Sequence, residues 1–362
     1  MKFLERLGVN SARRFIKAMP DLRNFIGAAD WGKDLNGILV KDKKTFDNAI
    51  QTLRTKNGRS LSYAWNKPVK WSLILKYMSS DMGIHGSDDF VLTKLTDMGI
   101  SLLAVEGIGC SGTYFEFESM DSASSVYWSE RYELYKQSYA MAVYSHNKGI
   151  QMIEFFNEPD LALGTPCLDV NKFLDFYKIR SLSIQNAYED LNNEMLPQKR
   201  INIKVVASAF ARRTYGGDVT RYLGEAVVKN KNYMFGNMNK MANWTNMHLY
   251  SYHAYDKSGE TIGQDLEYMN NEIGNDPTLY PTDQIPVIIT EHNSRTSSNW
   301  DTKTSTSDTN FEASRLASQI ANLIKAKIDS HYVFKFSVTE SFSANRDIAK
   351  NGIHWGDIYS SP

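Results

Sequence analysis

Ile153-Glu154-Phe155-Phe156-Asn157-Glu158-Pro159 is an apolar run that stops abruptly in Asn-Glu-Pro, and Val287-Ile288-Ile289-Thr290-Glu291-His292-Asn293 is a second that stops in a glutamate. Near-continuous apolar runs of this length, rich in β-branched and aromatic residues, fit strands buried on both faces, as in a parallel sheet. Runs of the same kind recur at Gly8–Ile16, Ile100–Val105, Ile201–Ala207, Met247–Tyr252 and Tyr332–Val338. Helix patterns lie between them. Ser129–Lys148 is polar and aromatic, with Gly149 placed where a glycine ends a helix. Asp169 stands ready to cap Val170–Leu191. Thr309 and Glu312 have capping-box spacing ahead of Ala313–Ile328, where Leu316, Ile320, Leu323 and Ile324 share a face. Strand, long loop, helix and strand, repeated without a break in composition, predict an α/β fold, the (β/α)8 TIM barrel.

Seven strands are legible in this way, one short of a closed barrel. The missing strand is either Trp71–Tyr77 or a segment upstream of Met1, in which case the barrel is truncated at its N-terminus. Residues 1–362 read as a single catalytic domain with a polar insertion around 17–70. Ser294–Asn310, rich in Ser, Thr and Asn, reads as a long exposed loop.

Composition removes several classes of function. Lys plus Arg and Asp plus Glu are 41 each, so the balanced chain has no general electrostatic reason to seek nucleic acid or an anionic membrane. No apolar run approaches the roughly 20 residues that cross a bilayer. The seven histidines are scattered and the two cysteines, Cys110 and Cys167, make no zinc-binding pattern, so no metal and no cofactor is expected. Gly107-Ile108-Gly109 lacks the spacing of a nucleotide-binding loop. Tyr, Phe and Trp make up 12% of the chain, enough for core packing and for flat walls on which sugars stack.

Barrel enzymes carry their chemistry where strands end, at the C-terminal face. Glu158 and Glu291 both stand at such ends, and the strand–helix units at Ile201 and Met247 fit between them, so the fold aims both glutamates into one cleft. A lone Glu at a strand end is an ordinary solvated loop residue. Two apolar strands, each ending in Glu at barrel spacing, make a more specific pattern.

These residues resemble the clan A retaining glycoside hydrolases. Asn157-Glu158-Pro159 resembles their strand-four motif and Thr290-Glu291 their strand-seven nucleophile. Leu7–Arg13 is similar to an early strand whose arginine supports the nucleophile, and Tyr250–Tyr255 to a strand-six segment that orients it. Within the clan the chain resembles glycoside hydrolase family 86, the β-agarases and β-porphyranases, through the aromatic strand at Glu158, Tyr252-His253-Ala254-Tyr255, Thr290-Glu291-His292-Asn293 and Asn351–Asp357. The resemblance implies a retaining endo-glycoside hydrolase acting on a red-algal galactan, agarose or porphyran, with Glu158 as acid/base and Glu291 as nucleophile. It implies that Arg13, Tyr252 or His253 keeps Glu291 ionised and that Asn157 donates to the sugar 2-hydroxyl. His292, Trp300, His354 and Trp355 are candidates for lining subsites, each also readable as a packing residue.

Other substrates for the same glutamates are xylan, β-glucan and β-mannan, and a third reading is a silent barrel that only binds carbohydrate. The expected partner is a polysaccharide or oligosaccharide, taken up by a monomer. Members of the family carry secretion signals and sandwich domains. Met1–Gly8 lacks the apolar stretch of a signal peptide, which leaves localisation unknown. Arg212 and Arg213 read as a solvated pair or a sulfate contact, Lys41–Lys44 as solvated surface, and Glu154 as a carboxylate deeper on the strand of Glu158.

Overall fold

The computed structural model describes residues 11–16, 31–57, 88–108, 117–157, 170–206, 250–253, 287–292 and 330–333, together with helical residues 318, 320, 321, 323 and 324. The fold is α/β, and every described strand pairing is parallel. One sheet runs in the order β1 (Ser11–Ile16), β2 (Ser101–Ile108), β3 (Met152–Asn157) and β4 (Lys204–Val206). The other runs in the order β5 (Tyr250–His253), β6 (Val287–His292) and β7 (Ser330–Val333). All the strands expected from apolar runs are present, with β7 starting at Ser330, ahead of the expected Tyr332. Trp71–Tyr77, Cys110, Cys167, Asp169, Arg212, Arg213, Thr309 and Glu312 lie outside the described residues.

The two sheets share an interior. Leu103 and Val105 of β2, Val206 of β4 and Ile288 of β6 form one buried cluster, with Met152 of β3 packed against it. Residues of β1 and β7 also approach within 8 Å, Cα to Cα. Strand alternation explains the second buried face: Leu102, Ala104, Ile153 and Val205 point away from that cluster and are buried as well.

The helices that return the chain end in the same turn. Helix α2 (Asp88–Asp97) stops at Gly99 and α3 (Ser125–Asn147) at Gly149, with φ of 72° and 71°. In each, the glycine N–H and the next isoleucine N–H reach back to helix carbonyls: Gly99 to Thr96 and Ile100 to Leu95, Gly149 to His146 and Ile150 to Ser145. This left-handed turn strongly favours glycine and feeds the chain directly into β2 and β3. Helix α4 (Val170–Asn193) follows β3 and ties itself to the sheet by the Tyr188 hydroxyl, which donates to the Ile150 carbonyl at 2.8 Å.

A layer absent from the sequence reading packs against α3 and α4. Lys43–Asn57 forms helix α1, whose buried Phe46, Ala49, Ile50 and Leu53 follow helical spacing. Its cap is reciprocal: Asp42 Oδ1 accepts from the Thr45 N–H at 2.7 Å, and Thr45 Oγ1 accepts from the Asp42 N–H at 3.0 Å. Helix α1 is held to α4 by Arg54, which donates to Asp190 and Glu189. Just before it, the Gly32 N–H donates to Glu133 Oε1 of α3 at 2.6 Å. Helix α3 is thereby enclosed on its outer side too, and every residue from Ser129 to His146 is buried. Some of its polar side chains are matched inside the protein: Lys136 pairs with Glu133, and Arg180 of α4 donates to Ser138, whereas the Tyr132 hydroxyl, Gln137 Nε2 and the Ser145 hydroxyl make no hydrogen bond among the described residues.

Candidate active site

Within each sheet the strands are parallel, so the last residues of β2 and β3 lie at one end of the first sheet and those of β5 and β6 at one end of the second. Register decides which of them share the interior. Leu103, an interior residue, pairs with Arg13 of β1 and Met152 of β3. Glu154, two residues on, is therefore also on the interior face, and its position is confirmed by a hydrogen bond from Ser251 Oγ of β5 at 2.5 Å. Both side chains are fully buried. The bond joins strands of two different sheets across the shared interior.

Strand β6 contains the decisive irregularity. Ser251 pairs with Ile288 and Tyr252 with Ile289, but His253 pairs with Glu291. Thr290 is the extra residue of a β-bulge, and the pairing with β7 slips over the same interval, from Ile289↔His331 to His292↔Val333. In a regular strand Glu291 would share the face of Ile289, away from the interior. The bulge shifts the phase by one residue and gives Glu291 the register position opposite His253, which follows Ser251 on the interior face and is fully buried. Thr290 is buried, and its hydroxyl makes no hydrogen bond among the described residues.

The same phase sorts the other candidates. Arg13, His253 and Glu291 occupy interior register positions. Tyr252 pairs with Ile289 and His292 with Val333, both out of phase with the interior. Asn157 closes β3 opposite Ile108, also out of phase with Glu154. Glu158, Trp300, His354 and Trp355 lie outside the described residues. Alternation was legible in the sequence, but the bulge was not, because its signature is a single residue within an apolar run.

The turn that leads into α3 sits at the same end as the strand termini and is anchored by buried charge. Glu130 accepts from the Glu118 and Ser119 N–H groups at 2.7 and 3.3 Å. Arg131 donates to the Ser119 carbonyl at 2.9 Å and to Asp175 of α4 at 2.6 Å, with its guanidinium 3.8 and 3.5 Å from the ring centroids of Phe117 and Tyr127. Burial pushes the Glu130 carboxyl above its ordinary range, against the lowering effect of those backbone donors and of Arg131.

A cavity of about 610 Å³ lies at the other end of the strands, between the C-termini of α2, α3 and α4, and touches Asp97, His146, Lys148, Glu194 and Met195. It is remote from the strand C-termini. Among the described residues no group of three His, Cys, Asp or Glu side chains is placed to hold a metal ion, and no helix is long and apolar enough to cross a membrane.

No family model and no curated protein matches this chain. Solved structures similar to it include a GH128 (subgroup IV) endo-β-1,3-glucanase from Lentinula edodes, at 15% identity and TM-score 0.36, covering 71% of this chain and 74% of that one. A family 39 glycoside hydrolase from the gut symbiont Bacteroides cellulosilyticus is similar at 14% identity and TM-score 0.44, covering 73% and 50%. A GH86 protein in complex with neoagarooctaose is similar at 11% identity and TM-score 0.47, covering 90% and 55%. The chain spans about half the length of these last two. These neighbours are glycoside hydrolases, and likenesses of this size assign neither a family nor a substrate to the chain.

Proposed function

We propose that this chain is a retaining endo-glycoside hydrolase that cleaves β-glycosidic bonds of a polysaccharide, with Glu291 as nucleophile and Glu158 as acid/base. The observation that carries this reading is the bulge at Thr290, which gives Glu291 an interior register position at the end of β6. Bulges recur beside active sites because they re-aim a side chain. A strand that only supported the core would have no use for a glutamate at an interior register position near its end.

The two sheets are read as parts of one (β/α)8 barrel, a single domain spanning 1–362 with its insertion around 17–70. Their shared cluster and the Glu154–Ser251 bond support that closure. The substrate assigned is a red-algal galactan, agarose or porphyran, bound by a monomer. This choice rests on the resemblance of the quoted motifs to glycoside hydrolase family 86.

The chemistry needs only the two carboxyl groups. Glu291 attacks the anomeric carbon as Glu158 gives its proton to the departing glycosidic oxygen, leaving a glycosyl ester on Glu291. Glu158, now ionised, takes a proton from water, whose oxygen displaces Glu291 and restores both groups. Arg13 and His253, at interior register positions, supply donors that favour the ionised Glu291.

Counting reducing ends released from agarose, porphyran, xylan and barley glucan tests the reading. Glu291→Gln should abolish release while the fold is kept. Glu158→Gln should slow the polymer by about 10²–10⁴-fold and activated aryl glycosides far less. Hydrolysis of xylan or glucan alone would move the substrate and keep the mechanism. Turnover by Glu291→Gln equal to that of the parent chain would overturn both.

A further inference from the structure

We propose that Met120 is an oxidation site, converted by a peroxide to its sulfoxide, whose new oxygen is held by the buried guanidinium of Arg131. The inference concerns the turn between β2 and α3 and stands apart from the glycosidase reading.

An inventory of Arg131 carries it. A guanidinium presents five N–H donors in a fixed fork and has no acceptor. Its Nε–H and one N–H of Nη2 go to Asp175 Oδ2, at 3.0 and 2.6 Å. Nη1 donates to the carbonyls of Ser119 and Tyr127, at 2.9 and 3.3 Å. The remaining donor, on Nη2, meets Met120 Sδ at 3.2 Å. All the other partners are oxygens, whereas thioether sulfur is a weak acceptor. A charged side chain about 1% exposed thus has one donor matched to a poor partner.

Met120 is placed to improve that match. It is 40% exposed, whereas Met141 is buried and Met98, Met152 and Met195 are half-buried. Susceptibility to oxidation follows exposure. The unbranched side chain lets the sulfur withdraw toward solvent as an oxygen comes between it and Nη2. The donor itself is held still by Asp175 and by the rings of Phe117 and Tyr127, whose centroids lie 3.8 and 3.5 Å from the guanidinium.

In the reaction a sulfur lone pair attacks one peroxide oxygen and the O–O bond breaks. The proton on the attacked oxygen passes to the departing hydroxide, which leaves as water. Sulfur loses two electrons and the peroxide gains them. The side chain stays neutral, so no charge is added beside Glu130 and Asp175. A sulfoxide oxygen is a strong acceptor, and a hydrogen bond from a charged donor is roughly twice as strong as one between neutral groups. Methionine oxidation ordinarily disrupts packing. At Met120 it tightens the turn instead.

The test exposes the folded chain and Met120→Leu to dilute hydrogen peroxide, with peptide mass spectrometry locating each added oxygen. Met120 should react ahead of Met98, Met141, Met152 and Met195. Urea unfolding before and after treatment then reads the effect, and Met120→Leu subtracts the contribution of every other methionine. Treatment should raise the folding equilibrium constant of the parent relative to that of Met120→Leu on the order of fivefold, the gain of a better acceptor for a charged donor. Met120→Gln, which carries an amide oxygen on a side chain of similar length, should exceed Met120→Leu without any oxidant. Oxidation of any of those four methionines before Met120 would overturn the proposal. So would a treated parent that gains nothing over treated Met120→Leu, or a Met120→Gln no more stable than Met120→Leu.

Discussion

Replacing Arg131 by Met should be among the most damaging single changes in the helical layer. Its side chain is about 1% exposed. It holds Asp175 through two nitrogens at 3.0 and 2.6 Å, lies 3.5 Å from Glu130, and is stacked between Phe117 and Tyr127. Methionine fills much of the volume but leaves two buried carboxylates without their cation, a loss of about 3–5 kcal/mol. Removing Asp175 as well, as Arg131→Met with Asp175→Leu, should recover a large part of that loss, because no unpaired charge then remains at that position. Urea unfolding at constant m reads both values. The pH dependence has a definite sign. Burial already raises the Glu130 carboxyl, and removing the cation raises it further. A carboxylate whose folded pKa exceeds its unfolded value destabilises the native state as pH rises through the folded value, so the deficit should shrink on acidification. A loss under about 1 kcal/mol, or one that grows on acidification, would refute the account of this cluster.

Three further outcomes follow from the same structure. Burial lowers the pKa of His146 despite its 3.1 Å contact with Asn192 Oδ1, so the native state binds fewer protons than the unfolded chain and stability falls as pH drops through about 6.5; His146→Gln should flatten that slope in thermal melts, and an unchanged slope would assign it elsewhere. Gly32 has φ of 71°, and a Cβ there would lie 2.6 Å from Ser129 Cβ. Gly32→Ala should cost more than the roughly 1–2 kcal/mol of a left-handed alanine alone, with partial relief in Gly32→Ala/Ser129→Gly by urea unfolding. Thr290→Val keeps the shape of the bulge and removes a buried hydroxyl, so it should be neutral or stabilising by about 1 kcal/mol, and a large loss in the same assay would mean that the hydroxyl is paired.

What the sequence made legible was set by periodicity. Strands β2, β3 and β6 are buried on both faces and read as unbroken apolar runs, so their position and parallel pairing were accessible. Helix α3 was located by Gly149, yet its complete burial was not, since Glu130, Arg131, Glu133 and Lys136 look like a solvated face until their partners are known. Those partners come from the turn before the helix, from the helix itself, from α4 and from residues 31–57. Helix α1 had its signals in plain view, Asp42 and Thr45 as cap and Phe46, Ala49, Ile50 and Leu53 as face, but the Lys41–Lys44 charge run obscured them. Those four residues are indeed exposed. At the candidate site Glu291 was legible near the end of its strand, whereas its phase depends on a bulge that only pairing reveals.

The most direct measurement of the central claim is the anomeric configuration of the first product, followed by proton NMR on whichever β-linked polymer the chain hydrolyses. Two displacements, the first by Glu291, require the new reducing end to appear in the β form and only then to mutarotate. A product released first as the α anomer would mean a single displacement by water and would contradict the assignment of Glu291 as nucleophile.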